Sequence, residues 1–175
     1  MARAAIPAVA AAAGAAYLAA LLALDHGAAY PEQLALGVVT WCVLAAALTR
    51  VSSERRAQAV GVVLFATVGE VTGSLIWGAY SYRLHNLPLF VPPAHGIVYL
   101  TGLALALALR RYERALVLAA AAAATAWAVL GVTVLPHRDV AGALAVPLLL
   151  LFLWRGRNRT VYAGVFLVVA ALELY

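Results

Sequence analysis

The sequence predicts an all-α fold: a polytopic membrane helix bundle of about seven transmembrane helices, amino terminus in the cytoplasm and carboxyl terminus outside. Three observations predict it. The chain is 66% hydrophobic and 11% charged, whereas soluble domains run about half apolar and a quarter charged. Its apolar residues form long blocks rather than an amphipathic period, as bilayer-facing helices require. Its arginines are sorted between alternate loops.

A span needs roughly 20 mostly apolar residues to cross a hydrocarbon core of about 30 Å. Seven runs meet or approach that length: residues 6–24, 33–49, 57–79, 92–109, 115–135, 140–154 and 160–175. The sixth is short and carries Pro147, which predicts a kink or tilt. The first follows Arg3 as a signal peptide would, but its apolar run is long for a signal core, and the topology requires that it be retained.

With the amino terminus inside, the cytoplasmic segments carry Arg3, Arg50, Arg55, Arg56, Arg110, Arg111, Arg114, Arg155, Arg157 and Arg159, and the outer segments carry Arg83 and Arg138. Ten against two is the asymmetry of the positive-inside rule, and it predicts a multi-pass protein of the cell membrane. Connections as short as Arg110-Arg111-Tyr112-Glu113-Arg114 leave no room for a soluble domain, so residues 1–175 read as one bundle. Gly69 and Gly73 form a Gly-x-x-x-Gly pair, a signal for close helix packing.

Composition also narrows the function. All 12 basic residues are arginine, which excludes retinal held through a lysine Schiff base. Cys42 is the only cysteine, so neither an intrachain disulfide nor a cysteine metal cluster can form. The net charge of +5 follows from topology and calls for no nucleic-acid partner. The expected partner is the lipid bilayer itself.

The orientation collects the histidines on one side. His26, His85, His95 and His137 all fall at the outer side with Asp25, Glu32 and Asp139. A reactive site should therefore open outward.

Glu70 is the most informative residue. Read as helix up to Tyr80, the chain sets it ten residues from the outer end, roughly 15 Å at about 1.5 Å per residue, near the bilayer midplane. Intramembrane acids are costly unless paired and usually face an interior. At helical spacing Thr67, Glu70, Ser74, Trp77 and Ser81 lie on one stripe, a polar and aromatic track toward the outer surface. Two roles stay open: a carboxyl kept neutral by apolar surroundings, able to give a proton to an alkene, or a hydrogen-bonding group that holds helices together.

The second constellation runs from Tyr80-Ser81-Tyr82-Arg83 to Pro92-Pro93-Ala94-His95-Gly96-Ile97-Val98-Tyr99. Pro93 suits the first turn of a helix. His95 and Tyr99, four apart, share a face. Trp77, Tyr80, Tyr82 and Phe90 suit either an interfacial aromatic belt or a substrate lining. The candidate catalytic set is Glu70, His95 and Tyr99, with Ser74, Trp77, Tyr80 and Tyr82 as the binding set. The histidines with Asp25 and Asp139 are the alternative, a metal site. They lack helical chelate spacing, so neither a metal nor another cofactor is expected.

Glu70-x-x-Gly73, then Gly78-Ala79-Tyr80-Ser81-Tyr82, then Leu89-Phe90-Val91-Pro92 resembles segments of small polytopic carotenoid-biosynthesis proteins, the membrane carotenoid hydratases and heterodimeric-type lycopene cyclases. The resemblance covers residues 69–102, about a fifth of the chain, and its motif is loose. It implies an acid role for Glu70 and a hydrophobic isoprenoid or lipid substrate. The paired acids that follow a proline in cyclase-like families have no counterpart in Pro92-Pro93-Ala94-His95-Gly96. Two other classes stay open: an accessory or assembly subunit that binds a membrane-protein partner or a second copy, and a small transporter or metal-handling protein.

Overall fold

A computed structural model describes residues 2–134 and 138–173. Helices α1 (Ala2–Gly27), α2 (Tyr30–Leu48), α3 (Ser53–Glu70), α4 (Val91–Ala108), α5 (Glu113–Thr133), α6 (Val140–Arg155) and α7 (Arg159–Glu173) follow in order, and there is no strand among the described residues. Each expected apolar run contains a helix. α3 continues as a π-helical turn, Val71–Ile76, and a 3-10 turn, Arg110–Tyr112, leads into α5. The outermost residues of two expected runs, Leu135 and residues 174–175, lie outside the described residues.

Five helical stretches are long and apolar enough to cross a membrane: Ile6–Gly27, Tyr30–Leu48, Ser53–Ile76, Val91–Ala108 and Arg110–Thr133. α6 has 16 residues, about 24 Å of helix at 1.5 Å per residue, short of a hydrocarbon core of about 30 Å. α7, with 15 residues, is shorter still. By length, then, the seven expected spans divide into five full spans and two short apolar helices.

The surface of these helices is greasy. Phe65 is 84% exposed, and Leu64, Val68, Leu144 and Leu148 are exposed with it. Large apolar surface of this extent is stable against lipid rather than water. The chain is a multi-pass membrane protein.

Local chemistry sets the helix starts. Ser52 caps α3 by accepting from the Arg55 N–H at 3.4 Å. At the start of α2, Glu32 reaches back to the Ala29 N–H at 2.8 Å, one half of a capping box. Asp139 caps α6 by accepting from the Gly142 N–H at 2.8 Å.

The chain divides into two compact units, residues 13–100 and residues 1–12 with 101–175. In the second, Leu116, Ala120, Leu153 and Ala163 form a buried core across α5, α6 and α7. The alanines on α5 serve close approach here, as their small size suggests.

In the unit of residues 13–100, Leu21, Phe90 and Val91 form the core, with Tyr17, Leu36, Leu87 and the Tyr82 ring packed against it. Above this core sits a polar network that sequence reasoning missed. Gln33, only 2% exposed, donates to Asp25 Oδ1 at 2.8 Å and accepts from Asn86 Nδ2 at 2.9 Å. Arg83 donates to the Asp25 carbonyl at 2.8 Å, which also accepts the Ala28 N–H at 3.1 Å, and to the Ala28 carbonyl just past the end of α1. The chain between α3 and α4 is thereby tied down. Gln33→Leu strands two half-buried partners and should cost about 2 kcal/mol, read as a lower midpoint in denaturant unfolding from detergent.

Candidate functional site

The site forms where α3 stops being an α-helix. From Val71 the helix widens: the Trp77 N–H bonds the Thr72 carbonyl at 2.9 Å, and the Ala79 N–H bonds the Gly73 carbonyl at 2.9 Å. These five- and six-residue steps replace the four-residue step of an α-helix. Gly78, at φ +62°, takes the left-handed conformation that ends helices and is strained for residues with a Cβ. The chain then turns back on itself.

That reversal corrects two expectations. The helical run ends at Ile76, so Glu70 lies six residues from its end rather than the expected ten. The straight stripe from Thr67 to Ser81 does not exist as such. Trp77 is 77% exposed, off the site, while Tyr80 and Tyr82 fold back onto Glu70.

Glu70 is the hub. Its Oε2 accepts hydrogen bonds from Tyr80 Oη and from Tyr82 Oη at 2.6 Å. Its Oε1 faces His95 Nε2 at 3.6 Å. The side chains of Glu70 and His95 are 18% and 33% exposed. The two tyrosine rings meet edge to face with centroids 5.8 Å apart.

Gly73 leaves room for the Tyr80 ring. A Cβ there would lie 3.1 Å from the Tyr80 ring, whereas one at Gly69 would meet nothing within 4 Å. Within the chain, Gly73 therefore faces the Tyr80 ring and Gly69 faces open space, so neither packs against a second helix of this chain.

His95 is oriented by its own helix. Its Nδ1 lies 2.9 Å from the Val91 carbonyl, which can only accept, so Nδ1 carries a proton. In the neutral ring Nε2 is then a bare lone pair directed at Glu70 Oε1. That contact is attractive only when a proton sits on one of the two atoms. Glu70 Oε1 and His95 Nε2 stand at ion-pair range but beyond hydrogen-bond distance at 3.6 Å, while Oε2 is taken up by its two phenol donors.

The Tyr82 phenol is pushed well above its usual value near 10, first by burial and then by the Glu70 carboxylate beside it. It stays a donor throughout the neutral and mildly alkaline range. The folded state holds this proton more tightly than the unfolded chain, so the contribution to stability is constant below about pH 10 and is lost as pH rises beyond it. Unfolding measured between about pH 9 and 11 should show that loss, and Tyr82→Phe should remove the part of the slope due to this phenol.

The structure separates the other predicted residues from this hub. Tyr99 donates to Gln58 Oε1 at 2.6 Å, and Gln58 also accepts from Arg55 at 3.0 Å. Tyr99 therefore serves the opposite end of α3 and does not partner Glu70. Ser74 Oγ donates to the Glu70 backbone carbonyl at 2.6 Å, the usual retreat of a hydroxyl in an apolar helix. Among the described residues no three His, Cys, Asp or Glu side chains come together as a metal site would need. His137, one of the residues considered for that role, lies outside them.

Fold and site together define an all-helical, multi-pass membrane protein with a Glu–His–Tyr–Tyr centre at the broken end of one helix. No protein-family model, curated protein or solved structure matches the chain.

Proposed function

We propose that this protein is a membrane-embedded enzyme that protonates a carbon–carbon double bond of a lipid-soluble isoprenoid. The observation that carries the reading is the division of labour at Glu70: Oε2 is held by two phenols while Oε1 faces the lone pair of an oriented imidazole at 3.6 Å. A carboxyl so placed has one free oxygen, a fixed direction and a partner from which its proton can be replaced.

The chemistry follows from those groups. The proton held between Glu70 and His95 adds to a terminal alkene carbon, leaving a tertiary carbocation. The electron-rich faces of Tyr80 and Tyr82 suit stabilisation of that cation. Attack by a neighbouring double bond and loss of a proton gives a cyclised isomer; capture of water and loss of a proton gives an alcohol. The resemblance of residues 69–102 to carotenoid hydratases and lycopene cyclases supports the substrate class. The protein would work in a cell membrane, amino terminus inside, with the site toward the outer side.

Production of the chain in bacterial cells that accumulate lycopene tests the proposal. A product isomeric with lycopene, or heavier by one water, is expected by chromatography and mass spectrometry. Unchanged polyene in cells whose membranes contain the folded protein, with lycopene and with shorter acyclic polyprenes alike, would refute it.

A further inference from the structure

A second site lies in the unit of residues 1–12 and 101–175. α5, α6 and α7 leave between them a cavity of about 370 Å³ whose walls include Ala124, Val146, Leu149 and Phe166, and whose polar groups are Trp127 and Asp139. The volume falls within the roughly 300–1,000 Å³ of ligand sites, and a mainly apolar lining with few polar groups is their usual composition.

Asp139 is held rigidly at the edge of this cavity. Its backbone N–H bonds the Gly131 carbonyl at 3.0 Å. Oδ1 accepts from the Gly142 N–H at 2.8 Å, and Oδ2 accepts from the Trp127 indole at 3.1 Å. A carboxylate has about four acceptor positions, so two remain. The ion pairs among the described residues are His95–Glu70 and Arg159–Glu113; Asp139 has no cationic partner there. The indole whose N–H it accepts is locked next to it, and an indole face attracts cations.

We propose that this cavity binds an amphiphile with an organic ammonium head and a single apolar chain. The head sits against Asp139 and Trp127, a cation against a carboxylate, and the chain lies along Val146, Leu149 and Phe166. Among the described residues the cavity lining contains no arginine or histidine, and Asp139 is its charged group, which favours a cationic head over an anionic one. This site is independent of the reaction proposed at Glu70.

The test is binding of radiolabelled decyltrimethylammonium to the full chain purified in an uncharged maltoside detergent, with decanol as the neutral competitor. Saturable binding of one probe per chain is expected, poorly displaced by decanol. Asp139→Asn keeps an equally good helix cap and should weaken binding at least tenfold. Val146→Phe leaves the charge intact, fills the cavity and should abolish saturable binding even if the Asp139 variant proves unstable. Non-saturable uptake by the wild type, equal displacement by decanol, or unchanged affinity in a folded Asp139→Asn or Val146→Phe variant would overturn the proposal.

Discussion

Glu70→Gln is expected to lower product formation by about 10²–10⁴-fold, the usual contribution of a general acid, while leaving the protein folded. Glutamine matches glutamate in size and keeps an oxygen to accept from Tyr80 and Tyr82, whose hydrogen bonds to Glu70 pin the return of the chain onto α3. What it lacks is a transferable proton facing His95. A role as structural glue and a role as acid therefore give different outcomes. Glue survives this substitution with product formation near that of the wild type, whereas an acid does not. Thermal unfolding in detergent supplies the control, and the midpoint should stay close to that of the wild type. His95→Gln should give a loss of similar kind, since it removes the imidazole lone pair from Glu70 Oε1. Tyr99→Phe should have little effect on product, because Tyr99 is bonded to Gln58.

The second large effect is structural. Within the unit of residues 1–12 and 101–175, α4 meets α7 glycine against glycine. A Cβ on Gly102 would lie 2.5 Å from Val165 Cα and 2.6 Å from its nitrogen, and one on Gly164 would lie 2.5 Å from the Gly102 carbonyl oxygen. These are backbone obstacles, so no side chain can rotate aside to relieve them. Close approach of this kind is what small residues provide in membrane helices, where the attraction is packing rather than exclusion of water. Gly102→Leu is expected to cost about 3 kcal/mol, the upper end for overpacking, seen as a large drop in the midpoint of denaturant unfolding. Gly61→Leu is the matched control, since an added Cβ at Gly61 meets nothing within 4 Å; its midpoint should barely move. Equal midpoints in the two variants would show that the α4–α7 crossing is not tight.

Much of the site was legible because its residues are chemically out of place. An acid at position 70 in an apolar run, and a histidine one turn into α4, stand out against their surroundings whatever the fold. Tyr80 and Tyr82 read as aromatics of either an interfacial belt or a substrate lining, and both touch Glu70. Tyr99 was misplaced for a clear reason. Helical spacing shows that His95 and Tyr99 share a face, but not where along a neighbouring helix each one lands. Gln58 and Glu70 lie twelve residues apart on α3, about 18 Å at 1.5 Å per residue, so one turn of α4 spans the two contacts only because its long side chains reach different ways. Gln33, Asn86 and Asp139 were undervalued because an amide or an acid at a span boundary looks solvated until its partners are known.

The sequence by itself determined that this protein is helical and lives in a membrane. Those properties depend on sums over many residues: apolar length, arginine placement, and the near absence of charge within runs. No single contact decides them. Only the tertiary structure decided where α3 ends, because a regular period cannot announce its own interruption. The π-helical turn and Gly78 redirect the chain, and Tyr80 and Tyr82 return to Glu70 from ten and twelve residues away. Among the described residues, five helical stretches reach span length and two apolar helices are shorter, and the centre lies nearer the end of its helix than the expected ten residues. Glu70 remains the residue around which it is built.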